Sequence, residues 1–312
     1  MNAIGIEIGG TKLQAAVVSR SGTVLLRRSS GVEPAAGAVR LRDALAELVG
    51  DLVAAWRGDP SHRPIAAAGV GFGGPVDRTS RVVAASFHVS GWHGFPLGAW
   101  IEERLGGIPV VIENDTNAAA VAEAVLGAGR GERSVFYTNA GSGIGGGLVV
   151  EGVLYRSRGP GEMEIGHLRL GPDGGILEDV SSGWAIDRQA RAEVAARPAG
   201  AIARLAAGEP ATARHVAAAA ASGDEAAGLI LDTAARHYAV ALSHVVHLLN
   251  PDVIVLGGGV AMIGAAWRDR VLRFLGGYLM ETLRPGPEVR LAALGQDVVP
   301  VGAALIAMGD GT

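Results

Sequence analysis

Cysteine is absent from the 312 residues, which excludes disulfides, thiolate metal sites and a cysteine nucleophile, and leaves any chemistry to oxygen and nitrogen groups. Lysine is nearly absent too, since Lys12 is the only one among 27 basic residues. A formal charge of −4 supplies no broad basic surface, so neither nucleic acid nor an anionic membrane is expected as a partner. Long apolar runs are also missing. None reaches the ~18 residues of a membrane span, and the N-terminal MNAIGIEIGG has no basic segment followed by an apolar stretch. These absences set the expectation of a soluble cytoplasmic protein acting on a small molecule.

Glycine is plentiful, with 48 residues gathered largely into turns. A chain of this length with 49% hydrophobic residues supports two domains, each able to bury its own core. Strands are expected at 3–8 and 13–18, joined through GGTK, with 24–30 as a third. The helical spacing of Val39, Leu41, Leu45, Leu48, Val49, Leu52 and Val53 predicts a helix over 38–56. Buried strands follow at 66–74 and 110–115, the second running into an alanine-rich helix at 117–127. Residues 134–155 then restart the scheme as strand, glycine turn and strand, which suggests an internal duplication. The stretch 185–249 reads as mostly helical, 252–259 as a buried strand ending in three glycines before another helix, and 299–308 as a short apolar helix packing back on the first domain.

Several constellations carry chemistry, each beside a structural alternative. GGTK reads either as a tight hairpin whose glycines supply positive φ, or as a phosphate cradle. In the second reading Gly9 and Gly10 admit phosphate oxygens to backbone N–H groups, and Thr11 and Lys12 add donors. Glu7, just before this turn, is placed to hold magnesium through water. Gly141, Ser142 and Gly143 repeat the ingredients, and a second such loop is hard to explain as another accidental hairpin. Gly257, Gly258 and Gly259 either admit close helix packing at a strand end or let a nucleotide base lie on bare backbone.

Asp115 follows a buried strand at a helix start. Either it or Thr116 caps the helix, or its carboxylate takes a proton from a substrate hydroxyl while Asn114 orients the same ring. Glu164, His167 and Glu178 read as solvated loop residues or as partners for vicinal sugar hydroxyls, because two carboxylates and one histidine do not specify a metal.

Taken in order, EIGGTK at 7–12, VGFGGPVD at 70–77, ENDTNAA at 113–119, GSGIGGG at 141–147, GEMEIGH at 161–167, LEDVSSG at 177–183 and PDVIVLGGGVA at 251–261 resemble the ROK family of bacterial sugar kinases and sugar-responsive repressors, within the actin-like ATPase superfamily. The resemblance covers nearly the whole chain. It implies a two-domain α/β, actin-like ATPase (ribonuclease H-like) fold with a nucleotide/sugar cleft between the domains. The small domain would be 1–117, joined by the C-terminal helix 299–312, and the large domain 118–298. It also implies ATP- and Mg2+-dependent transfer of the γ-phosphoryl group to a hexose hydroxyl, usually O6. Asp115 matches the catalytic base, and Gly74, Asn114, Glu164, His167 and Glu178 fall on sugar-contacting positions. The three glycine clusters fall on the nucleotide side, and a homodimer is implied.

Three departures from the family pattern carry expectations. Glu7 stands where aspartate is usual, which moves the metal-side carboxylate by one methylene. No cysteine lies between His167 and Glu178, so the thiolate zinc loop of many members cannot form, and His167 is freed for sugar hydroxyls. His88 falls near a position often held by asparagine, which points to an altered sugar such as the aminoglucose kanosamine. Two alternatives stand beside a hexose kinase. One is a non-catalytic sugar sensor, although the family's repressors carry a helix-turn-helix before the first phosphate loop and EIGGTK begins here at residue 7. The other is a polyphosphate-using glucokinase, which would need a basic track for its polymer.

Overall fold

Two sheets of the same strand order organise the chain. A computed structural model describes residues 1–10, 12–31, 37–86, 89–172 and 174–312, so the expectations at Thr11 and His88 lie outside the described residues. The chain runs through β1 (Asn2–Ile8), β2 (Lys12–Ser19), β3 (Val24–Gly31), α1 (Gly37–Arg57), β4 (Ile65–Phe72), β5 (Val76–Asp77), β6 (Val82–Val83), α2 (Leu97–Arg104), β7 (Val110–Asn114) and α3 (Asp115–Val125). It continues through β8 (Ser134–Ala140), β9 (Ile144–Val150), β10 (Val153–Leu154), α4 (Glu178–Ser181), α5 (Gly183–Ala196), α6 (Ala201–Ala206), α7 (Ala213–Ala221) and α8 (Glu225–Leu249). It ends with β11 (Val253–Gly257), α9 (Gly258–Ala261), α10 (Ala265–Tyr278), β12 (Glu288–Leu291) and α11 (Val298–Ala307). The sheets run β3-β2-β1-β4-β7 and β10-β9-β8-β11-β12. In the first, β1 is antiparallel to β2 and parallel to β4, and β4 is parallel to β7. The duplication read from the glycine turns is thus a duplication of topology.

The helix expected at 38–56 forms as α1 and buries Leu41, Leu45, Leu48, Val49, Leu52, Val53 and Trp56 along one face, as a 3.6-residue period requires. Val39 is the exception, lying 62% exposed at the first turn. The strand expected at 66–74 stops at Phe72: Gly73 N still makes a ladder bond to Ile8 O, and Gly74 N then donates back to Phe72 O, which turns the chain out of the sheet.

By internal contacts the chain divides into Met1–Val135 with Gly147–Met163 and Ala293–Thr312, and Phe136–Gly146 with Glu164–Ala292. The division differs from the expected boundaries at 117/118 and 298/299. The reason lies in α3 and α11, which pack backbone to backbone: a Cβ on Gly302 would overlap the Ala118 carbonyl. Cβ atoms on Gly5 and Gly69 would likewise overlap the Pro300 and Ala303 carbonyls, so α11 lies directly on β1 and β4. Three glycines therefore tie α3, α11 and the first sheet into one body. No described helix is long and apolar enough to cross a membrane.

Candidate active site

In the first unit the parallel register sets Ile8 beside Phe72 and Phe72 beside Asn114, so β1, β4 and β7 end on one row. Gly9, Gly73 and Asp115 are the residues that leave this row, at the carboxyl ends of parallel strands where α/β proteins place ligands. Gly73 measures how closely they gather. A Cβ built there would lie 3.4 Å from Asp115 Oδ2 and 3.6 Å from Gly9 Cα.

Helix α3 is capped by neither Asp115 nor Thr116. Asn114 is the cap, its Oδ1 accepting from Thr116 N and Asn117 N, while its Nδ2 donates to Gly74 O at 3.3 Å. Asp115 is thereby the first helical residue, half-buried, with Oδ1 accepting from Thr116 N at 2.8 Å. Asn114 meets one expected neighbour, Gly74, where a Cβ would lie 2.8 Å from the Ala85 carbonyl.

The first glycine turn differs from its expectation. Gly9 is not left-handed; its N–H closes the hairpin on Lys12 O at 3.0 Å, and its bare side faces Lys12 O and Glu7 Oε1. Lys12 Nζ lies 2.8 Å from Glu7 Oε2 and donates to Gln296 O at 3.0 Å. Burial raises the Glu7 carboxyl above the ordinary carboxylate range, and the Lys12 charge only partly opposes this. Glu7 Oε2 takes no hydrogen bond of good geometry. Its charge is answered by the Lys12 ammonium, and a buried carboxylate of this kind can meet a cation only through the cation's hydration shell. Among the described residues no three His, Asp or Glu side chains are grouped as metal ligands.

The second unit gathers Glu178, the turn carrying Glu164 and His167, and the glycine loop. Glu178 Oε2 accepts from Ile144 N at 2.8 Å, and a Cβ on Gly143 would lie 2.5 Å from that same oxygen. Residues Ile165–His167 form one helical turn in which His167 N donates to Glu164 O. A Cβ on Gly166 would overlap the Ile144 carbonyl, so this turn is pressed onto the start of β9. Gly141 N donates to Gly143 O and Gly141 O accepts from Gly183 N, which sets the loop around Ser142. Gly257 and Gly258 follow the packing reading: a Cβ on Gly257 would overlap the Tyr137 hydroxyl, and Gly258 is left-handed at φ 78° against Ala140. Gly259 faces open space.

Sequence reading passed over Gly73, Arg78, Glu113, Asn117, Asn139 and Glu162. Gly73 was visible as the partner of Gly74 in VGFGG, and Glu113 as a charge closing the apolar run VVI. Asn139, whose Oδ1 accepts from Gly145 N, stood beside the second glycine loop. Arg78 and Glu162 carry no local signal, because they meet only in the folded chain.

The sequence profile of the ROK family matches residues 3–310. A glucokinase from Thermotoga maritima is 30% identical, over 98% of this chain and 97% of its own. An N-acetylmannosamine kinase from Escherichia coli is 29% identical over 99% of both chains. Among solved structures, a ROK family glucokinase from Streptomyces griseus in complex with glucose and AMPPNP is 31% identical, covers 99% of both chains and superposes with a TM-score of 0.86. The chain belongs to the ROK family, has the actin-like ATPase fold of its kinases and is a sugar kinase.

Proposed function

We propose that this kinase transfers the γ-phosphoryl group of ATP to the 6-hydroxyl of glucose or of a glucose-like aminohexose such as kanosamine. The observation that carries the reading is the strand-end row, where the Asp115 carboxylate stands beside the bare backbone of Gly73 and Gly9. Phosphoryl transfer through a loose transition state asks for alignment and charge neutralisation more than for a strong base. Asp115 orients the acceptor hydroxyl and collects its proton late. Asn114, already fixed as a cap, directs its remaining amide N–H at the sugar, with the Gly74 backbone beside it.

Glu164, His167 and Glu178 take the remaining sugar hydroxyls, with His88 as a further contact. Gly9, Gly10, Thr11, Lys12, Gly141, Ser142, Gly143 and the glycines at 257–259 serve the nucleotide. Magnesium, when bound, neutralises charge on the transferred phosphoryl group, and Glu7 would hold it through water. A homodimer in the cytoplasm, without zinc, completes the reading on the strength of the family resemblance and the missing cysteines.

The test is a panel of glucose, mannose, kanosamine, glucosamine and N-acetylated hexosamines with ATP and Mg2+, with polyphosphate as a second donor and phosphorus NMR of the product. Turnover on glucose or an aminohexose, giving a 6-phosphate, supports the proposal. Turnover confined to N-acetylmannosamine would move the assignment to the chemistry named for the Escherichia coli relative. Turnover only with polyphosphate would replace the donor.

A further inference from the structure

Beneath Asp115 lies a cluster of buried charges that the reaction as described does not use. The side chains of Glu113 and Glu162 are 2% and 3% exposed, and both are ion-paired with Arg78. Glu113 Oε1 accepts from Arg78 Nη1 at 3.1 Å, from Asn114 N at 3.0 Å and from Asn117 Nδ2 at 3.1 Å. Asn117 Nδ2 also donates to Glu162 Oε1 at 3.0 Å, and Glu162 Oε2 accepts from Ser157 Oγ. Arg156 Nε stands 3.6 Å from Glu113 Oε2, so two guanidinium groups balance two carboxylates.

Two rings of bonds close over residues 113–117. One runs from Asn117 N to Asn114 Oδ1 and the other from Asn117 Nδ2 to Glu113 Oε1, with Asp115 inside both. Capping α3 needs only Asn114, and a buried ionic cluster is rarely the most stabilising filling for such a space. We propose that Glu113 is a positioning residue for Asp115, locked by Arg78, Asn117 and Glu162. The role rests on the kinase reading given above. Holding a reacting group to within a fraction of an ångström governs the rate of the bound complex while leaving the affinity for substrate nearly intact.

The test compares wild type with Glu113→Gln, Arg78→Met and Arg78→Lys in steady-state phosphorylation, with sugar binding followed by tryptophan fluorescence and folding by thermal unfolding. Glu113→Gln and Arg78→Met should lower kcat on the order of 10- to 100-fold while KM and sugar affinity stay within about threefold. Arg78→Lys, which keeps the charge on a single nitrogen, as Arg78 uses only Nη1 toward both carboxylates, should recover part of the loss. Unchanged kcat in both, or a raised KM with kcat unchanged, overturns the role. If Glu113→Gln does not fold, Arg78→Lys and Glu162→Gln decide by the same split between kcat and KM. A wild-type protein inactive on every sugar would remove the kinase reading and this role together, whereas an active wild type with unaffected variants removes this role alone.

Discussion

The turn between β1 and β2 and the turn between β8 and β9 occupy matching places in two sheets of one strand order, yet opposite means hold them. In the first, a cation reaches the carboxylate: Lys12 crosses the hairpin to Glu7. In the second, a carboxylate reaches the backbone: Glu178 accepts the Ile144 N–H over a glycine that leaves room for it. Repetition of a fold therefore fixes where a turn lies and leaves its charge free to diverge. The first turn keeps a buried carboxylate paired with a lysine, and the second spends one carboxylate oxygen on the loop backbone.

The largest effect that sharpens this contrast comes from Glu178→Gln. A charge-assisted bond to Ile144 N becomes a neutral one, and kcat/KM for the sugar should fall about 10- to 100-fold; a value equal to wild type would mean that the loop holds itself. Next comes a paired substitution. Gly143→Ala places its methyl 2.5 Å from the Glu178 carboxylate, whereas Gly9→Ala meets nothing nearer than 3.4 Å and needs no left-handed backbone. Thermal unfolding should report about 1–3 kcal/mol of destabilisation for the first and under about 1 kcal/mol for the second. Equal losses would erase the distinction.

Smallest is Glu7→Gln. Because burial raises this carboxyl in the folded protein, its ionisation costs stability as pH climbs above the ordinary glutamate range. The glutamine variant should be slightly more stable than wild type near neutral pH, by less than about 1 kcal/mol, and equal to it at acidic pH where Glu7 is protonated. Lower stability of the variant at neutral pH would show that the Lys12 pairing outweighs burial. The same variant should need more Mg2+ for half-maximal turnover.

How much of this was legible in the sequence depends on how local each cause is. Periodicity exposes α1, and the glycine clusters expose both hairpins, because each is decided within a few residues. The packing of α3 with the first sheet was not legible, since it rests on Gly302 meeting Ala118 across nearly two hundred positions of chain. Asp115 stood out as an acid at a strand end, but its release from capping depends on Asn114 taking that duty. Gly9 reads from the sequence as a source of positive φ or as an approach for phosphate, and Gly257 as a packing point or a bed for a nucleotide base. In the structure their bare sides face Lys12 and Tyr137 of the same chain. Arg78 and Glu162, 84 positions apart, were invisible for the same reason of distance.

The central claim is that Asp115 handles the acceptor hydroxyl while other groups bind the sugar. Single-turnover formation of sugar 6-phosphate, measured for wild type and Asp115→Asn at saturating sugar and ATP with Mg2+, addresses it most directly. The account predicts a loss on the order of 10³-fold in rate with sugar affinity within about tenfold. A variant that phosphorylates at close to the wild-type rate, or one that fails only through lost sugar binding, would contradict it.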